Sequence, residues 1–162
     1  MQQRAGSRSP RVQVVAVGAL RPPHDAAGRL YEQRLAAMLP FRADEVDAEP
    51  LQRGEPRARE REAQRMRDRL ARGAWRVALD PAGRQPESSE AFAGWLQRRL
   101  SSGRPVSFLI GGASGLDAGL LGECEERLAL GTITMPHQLA RVVLTEQLYR
   151  AACILGGHPY PH

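Results

Sequence analysis

Apolar residues come in short blocks along this chain, and the spacing inside each block changes from one to the next. Residues 12–18 (VQVVAVG) are apolar at nearly every position and close on glycine, the pattern of a strand buried on both faces. Residues 24–38 change period: Leu30, Tyr31, Leu35 and Met38 share one face of a helix. Residues 40–50 (PFRADEVDAEP) are polar at alternate positions and predict a weaker second strand. Residues 55–73 are densely charged and predict a helix closed by Gly73. WRVALD (75–80) predicts a third strand. SSEAFAGWLQRRLSSG (88–103) predicts a helix with Ser88 or Ser89 as its cap and Gly103 as its stop. PVSFLIGG (105–112) predicts a fourth strand, and RLALGTITMP (127–136), after a short helical stretch, holds a fifth. A final helix spans 137–157, followed by HPYPH.

Strands alternating with helices imply an α/β fold, a largely parallel sheet with helices on both faces. Neither a repeat nor a domain boundary interrupts 11–162, which predicts one domain behind a flexible, arginine- and serine-containing extension at 1–10. PAGRQPES (81–88) is expected to be a loop. Ligands of parallel α/β sheets sit beyond the carboxyl ends of strands. Three such ends are marked by glycine or proline: ALDPAG, LIGGASG and LGTITMP.

Composition narrows the function. The 162 residues carry a net charge of +5, which favours an anionic partner such as nucleic acid. Every cation is arginine; the chain has no lysine, so a Walker A lysine, a Schiff-base lysine and a pyridoxal phosphate anchor are all excluded. Cys124 and Cys153 are far apart and no Cys/His ligand spacing occurs, which predicts no metal site and a reduced, cytoplasmic protein. No apolar run approaches the roughly 20 residues that span a bilayer, so no membrane association is expected.

Three stretches are candidates for chemistry. Gly111 and Gly112 in GGASG fit either a phosphate nest or a turn packed on a neighbouring loop; the spacing is not that of a dinucleotide fingerprint. Gly131, Thr132, Ile133, Thr134 and Met135 precede Pro136, which disfavours helix and predicts a loop with exposed backbone groups able to read an adenine edge. His137 behind it is expected to cap or pack. On the last helix, Leu139, Val142, Val143, Tyr149, Ala152 and Cys153 form a stripe, either core or dimer surface, while Arg141 and Arg150 either meet RNA phosphate or pair with Glu146. Tyr160 in the proline-stiffened tail offers a stacking face.

Taken together, VAVG, LIGGASGL, ITMPH, LARVVLTEQLYRA and the terminal HPY resemble the SPOUT-class methyltransferase H family of the large ribosomal subunit, over roughly residues 11–160. The resemblance implies a C-terminal trefoil knot and a homodimer. It also implies S-adenosylmethionine as cofactor and N3-methylation of a pseudouridine in 23S rRNA on the assembled ribosome. Carried over by motif, cofactor contacts fall at Leu79, Gly112 and Gly131 to Pro136, positions dominated by backbone and apolar groups. Arg150 becomes the cation that favours the deprotonated base, and Tyr160 the residue that stacks on it or orients it. One departure stands out. The family ends HPY-His followed by a basic residue, whereas this chain reads HPY-Pro161-His162, leaving His162 as the terminal proton acceptor. The alternatives are a SPOUT enzyme acting on another RNA, a catalytically weakened RNA-binding relative, and a phosphate-binding enzyme built on GGASG.

Overall fold

Two strands without a polar edge run side by side inside the sheet. β1 (Val12–Val17) and β4 (Val106–Ile110) are buried at every position and pair in parallel, Val12 opposite Val106 and Ala16 opposite Ile110. Burial on both faces fits their runs, apolar at every position but Gln13 and Ser107. The structure, a computed structural model, describes residues 9–160. His162 and residues 1–8 of the expected extension lie outside the described residues.

The remaining strands are β2 (Phe41–Val46), β3 (Trp75–Arg84) and β5 (Glu126–Leu128). All five run parallel, in the order β2-β1-β4-β3-β5. The helices are α1 (Asp25–Met38), α2 (Glu55–Arg69), α3 (Ser89–Ser101), α4 (Ala118–Glu123) and α5 (His137–Gly156). Alternation along the strands sorts the core. Val12, Val14, Val106, Phe108 and Ile110 meet Leu35 of α1, Leu96 of α3 and Leu148 of α5. Val15, Val17 and Leu109 point the other way, to Met66 of α2 and Leu120 of α4. The helices therefore cover both faces, and every strand delivers its carboxyl end to the same edge.

Local signals set most boundaries. Ser88 is the cap of α3, its Oγ accepting the Ala91 N–H at 3.0 Å. Gly103 follows with φ +80°, and Gly157 closes α5 in the left-handed region at φ +65°.

Three boundaries differ from the sequence expectation. The helix of 55–73 ends early, at Arg69, because the buried Gln13 of β1 takes over its last groups: Gln13 Nε2 donates to the Arg69 carbonyl and Gln13 Oε1 accepts from Ala71 N. Gly73 lies beyond, in the turn to β3. The expected loop at 81–88 is partly strand, since β3 continues to Arg84 and returns to Leu128 after a break in register. Gly83 there rests on the Arg127–Leu128 peptide, 2.7 Å from where a Cβ would stand. The fifth strand is only Glu126–Leu128, and 131–136 is loop, as Pro136 and the edge position of β5 dictate.

Candidate functional site

The carboxyl ends of β3, β4 and β5 and the start of α5 surround a cleft of about 590 Å³. Its walls are mostly apolar: Leu79, Ile110, Leu116, Leu130, Ile133 and Met135 contribute side chains, and the turns after β4 and β5 contribute backbone. Of the positions singled out by sequence, Leu79, Gly112, Gly131, Ile133, Thr134, Met135 and Pro136 line it. Thr132 does not; it is exposed beside the cleft. Ile133 is 82% exposed, a large apolar side chain standing in solvent at the rim.

The turn after β4 settles what its glycines are for. Gly115 N donates to the Gly112 carbonyl at 3.0 Å, and the chain folds back on itself. A Cβ at Gly111 would lie 2.7 Å from the Gly115 carbonyl carbon, so the close approach is to the turn's own backbone. A Cβ at Gly112 would point inward, 3.0 Å from Val17 Cγ1, rather than across the cleft. The phosphate-nest reading also lacks a cation, because among the described residues no arginine lines the cleft. Its polar side chains are Asp80, Thr134 and His137. Asp80 is already engaged, accepting from Ala82 N at 3.0 Å and pairing with Arg127 at 3.3 Å. His137 opens α5 without capping it; of the expected alternatives, cap or packing residue, packing remains, and the residue lies half-buried at the cleft.

A second cluster forms at the other end of α5. Glu146 Oε1 accepts from the Tyr160 hydroxyl at 2.6 Å and from Arg150 Nη2 at 2.7 Å, and the Arg150 guanidinium lies 3.9 Å from the Tyr160 ring centre. Burial, then the bond to Glu146, pushes the Tyr160 phenol well above its ordinary range. The Glu146 hydrogen bond likewise raises Arg150. Within one chain Arg150 thus pairs with Glu146 while its side chain stays one-third exposed. Arg141 resolves differently. It is 3% exposed and joins Glu32 of α1, at 2.6 Å, to Glu45 of β2, at 2.8 Å, so it is an internal brace and not a phosphate contact. Sequence reasoning missed both acids because neither neighbours Arg141 in the chain. The stripe on α5 also divides: Tyr149, Ala152 and Cys153 are core, whereas Leu139 is exposed and Val142 and Val143 half-buried; Ile154, outside the expected stripe, is exposed as well.

The two groups are far apart within one chain. Arg150 lies thirteen residues beyond His137 on one continuous helix, about 20 Å at 1.5 Å per residue. Among the described residues no helix is long and apolar enough to cross a membrane, and no cluster of three metal-ligating side chains occurs.

A parallel α/β sheet with a cleft built from loops at its carboxyl edge defines the class as an α/β protein with the usual ligand position of such sheets. The comparisons make this specific. The family described as "Predicted SPOUT methyltransferase" matches residues 11–162. Ribosomal RNA large subunit methyltransferase H of Gemmatimonas aurantiaca is 43% identical over 154 residues, 93% of this chain and 98% of the relative. The protein of the same name from Thiobacillus denitrificans is 40% identical over 153 residues, 93% of this chain and 97% of the relative. The crystal structure of a probable methyltransferase from Bordetella pertussis superposes with a TM-score of 0.53 at 17% identity, covering 88% of this chain and 95% of that one, a likeness of fold. The chain belongs to the SPOUT methyltransferases, in the family of ribosomal RNA large subunit methyltransferase H.

Proposed function

We propose that this protein is an S-adenosylmethionine-dependent methyltransferase that modifies N3 of a pseudouridine in 23S rRNA of the assembled ribosome, acting in the cytoplasm as a homodimer of single-domain chains. The observation that carries the reading is the apolar, backbone-lined cleft at the carboxyl edge, in a chain of this family. Its volume lies within the usual range of small-molecule sites, about 300–1,000 Å³. Leu79, Gly112 and the loop 131–136 suit an adenosine held by packing and amide hydrogen bonds, with Thr132 at the margin. The cofactor supplies an electrophilic methyl group on a sulfonium.

The target nitrogen must lose its proton and align with that methyl, and reacting atoms about 3–3.5 Å apart are required. Arg150 on a rigid helix cannot cover about 20 Å to its own cleft. A second copy can supply it. If two α5 helices cross antiparallel near Val143, the midpoint of His137 and Arg150, each cleft receives the partner's Arg150 and Tyr160. Leu139, Val142, Val143 and Ile154 give this face its apolar surface. The partner's Arg150 then steadies the anion of the deprotonated base, and the partner's Tyr160 stacks on it. His162, beyond the described residues, is the proton acceptor in this reading.

Nucleoside mass spectrometry of 23S rRNA from a deletion strain and its complement tests the activity. The N3-methylpseudouridine signal should vanish and return. A signal on another RNA would move the enzyme to a different substrate, and binding to ribosomes without methylation would identify the weakened relative. Val143→Arg should convert dimer to monomer in light scattering and abolish methylation. A monomeric wild type at micromolar concentration refutes the shared site.

A further inference from the structure

Glu62 lies on the buried face of α2, with Ala58, Ala63 and Met66, and is only 5% exposed. Oε1 accepts the N–H of Glu49 at 2.9 Å. Oε2 is buried and has no hydrogen-bond partner among the described residues. A buried carboxylate oxygen is costly unless a donor reaches it. The neighbouring cations are committed elsewhere. Arg61 and Arg65 pair with Glu49, while Arg59 pairs with Glu55 and donates to the Ser114 carbonyl at 3.3 Å. Glu62 is therefore not half of an internal ion pair.

Its position connects it to the cleft. Glu62 Oε1 stands 3.6 Å from the point a Cβ on Gly112 would occupy, and Gly112 is cleft wall. Below the wall, Arg59 and Glu62 share a small recess with Gly115, Leu116 and Asp117. The helix thus supports from beneath the same turn that faces the cleft from above. Two bonds hold the turn, from Gly115 N to the Gly112 carbonyl and from Arg59 to the Ser114 carbonyl, and neither engages an N–H of residues 112–114.

We propose that Glu62 is a positioning residue for the cofactor cleft, its Oε2 accepting a backbone N–H of residues 112–114 in the loaded state and thereby fixing the height of that wall. The inference rests on the cleft being the cofactor site. Glu62 touches neither cofactor nor base; it acts through the turn.

The probe is S-adenosylhomocysteine added to the full-length chain. On binding to the wild type, an amide of 112–114 should move downfield in the nitrogen–proton NMR spectrum and exchange more slowly. Glu62→Gln keeps a carbonyl for the Glu49 N–H but turns an NH2 toward the turn, donor against donor. Its dissociation constant should rise about tenfold, as should KM for S-adenosylmethionine, with kcat at saturation within twofold and the new amide signature lost. Roughly tenfold is what one hydrogen bond to a charged acceptor supplies at its lower end. An affinity within twofold of wild type overturns the proposal, as does an identical amide response in both proteins, the result a permanent bridging water would give. If Glu62→Gln fails to fold, the wild-type spectrum decides alone, and no protected amide at 112–114 overturns it. A wild type that binds no S-adenosylhomocysteine refutes the cofactor reading instead, which keeps the two failures apart.

Discussion

Gln13 of β1 and Glu62 of α2 are both polar side chains buried between that helix and the sheet. Gln13, toward the amino ends of the strands, makes four hydrogen bonds: to Asp44, to the Arg69 carbonyl, from Ala71 N and from Ser107 Oγ. They tie β1 to β2, to β4 and to the end of α2, and they use the full donor and acceptor capacity of the amide. Glu62, nearer the carboxyl ends, makes one and leaves an oxygen unmatched. The same layer is finished at one end and unfinished at the other. A fully satisfied network holds one arrangement; an unsatisfied one keeps an alternative within reach. The buried polar bonds of this layer gather at the amino end of the sheet, and the unmatched oxygen lies at the end where the cleft opens.

Breaking the finished end should have the largest effect. Gln13→Leu fills the space but strands Ala71 N, the Ser107 hydroxyl and part of Asp44, at about 1–3 kcal/mol for each buried orphan. A loss of about 4 kcal/mol is expected, lowering Tm by roughly 8–16 °C, while the folded fraction binds S-adenosylhomocysteine as before. Calorimetric unfolding and titration at a temperature below both transitions check this. An affinity loss that outruns the stability loss would mean the two ends are coupled.

Gly111→Ala should act on both quantities at once. Its Cβ would press into the Gly115–Leu116 backbone, for about 2 kcal/mol of overpacking. The turn must shift, so binding in the cleft should weaken together with Tm. A variant with wild-type melting and wild-type affinity would show the turn to be more pliant than its contacts imply.

Ile133→Ser probes the open end alone. The side chain is almost fully in solvent, so stability should stay within about 0.5 kcal/mol. If Ile133 closes over the adenosine, affinity should fall by about 1–2 kcal/mol, roughly 5–30-fold. Unchanged affinity would leave Ile133 to the RNA or to the second subunit.

The smallest effect is expected at the tail. The Tyr160 phenol is raised by burial and by its bond to Glu146, so the docked tail favours the protonated form. Docking is then fully present below the ordinary phenol value of about 10 and is lost only as pH rises through the raised value. In an ultraviolet difference titration of wild type against Tyr160→Phe, the missing tyrosinate should be one that ionises late. A difference centred at the ordinary value would mean that the tail is not held by Glu146 in solution.

Much of this architecture was legible in residue order. The predominantly apolar runs of β1 and β4 pointed to burial on both faces, and Ser88, Gly103 and Gly157 set boundaries through local geometry, which needs only neighbouring residues. GGASG and GTITMP were marked as strand-end loops by glycine and proline, and both line the cleft. The end of α2 was misplaced because a side chain 56 residues away, Gln13, competes for its last carbonyl. The extension of β3 was missed because a glycine in a Pro/Gly-rich stretch signals a turn, whereas Gly83 is there to let the chain lie on the Arg127–Leu128 peptide.

Sequence by itself determined the class of fold and the strand-end loops at one edge of the sheet, since periodicity, glycine and proline act locally, while the apolar positions assigned to the site came from the family resemblance. Only the tertiary structure decided which charges are spent on holding the chain together and which are left over. Arg141 is consumed by Glu32 and Glu45, Arg150 is held by Glu146 and over the Tyr160 ring with its side chain still one-third exposed, and Glu62 keeps an oxygen unmatched beneath the cleft wall. Charge pairing depends on distance through space across elements far apart in the chain, and a linear pattern of signs does not contain those distances.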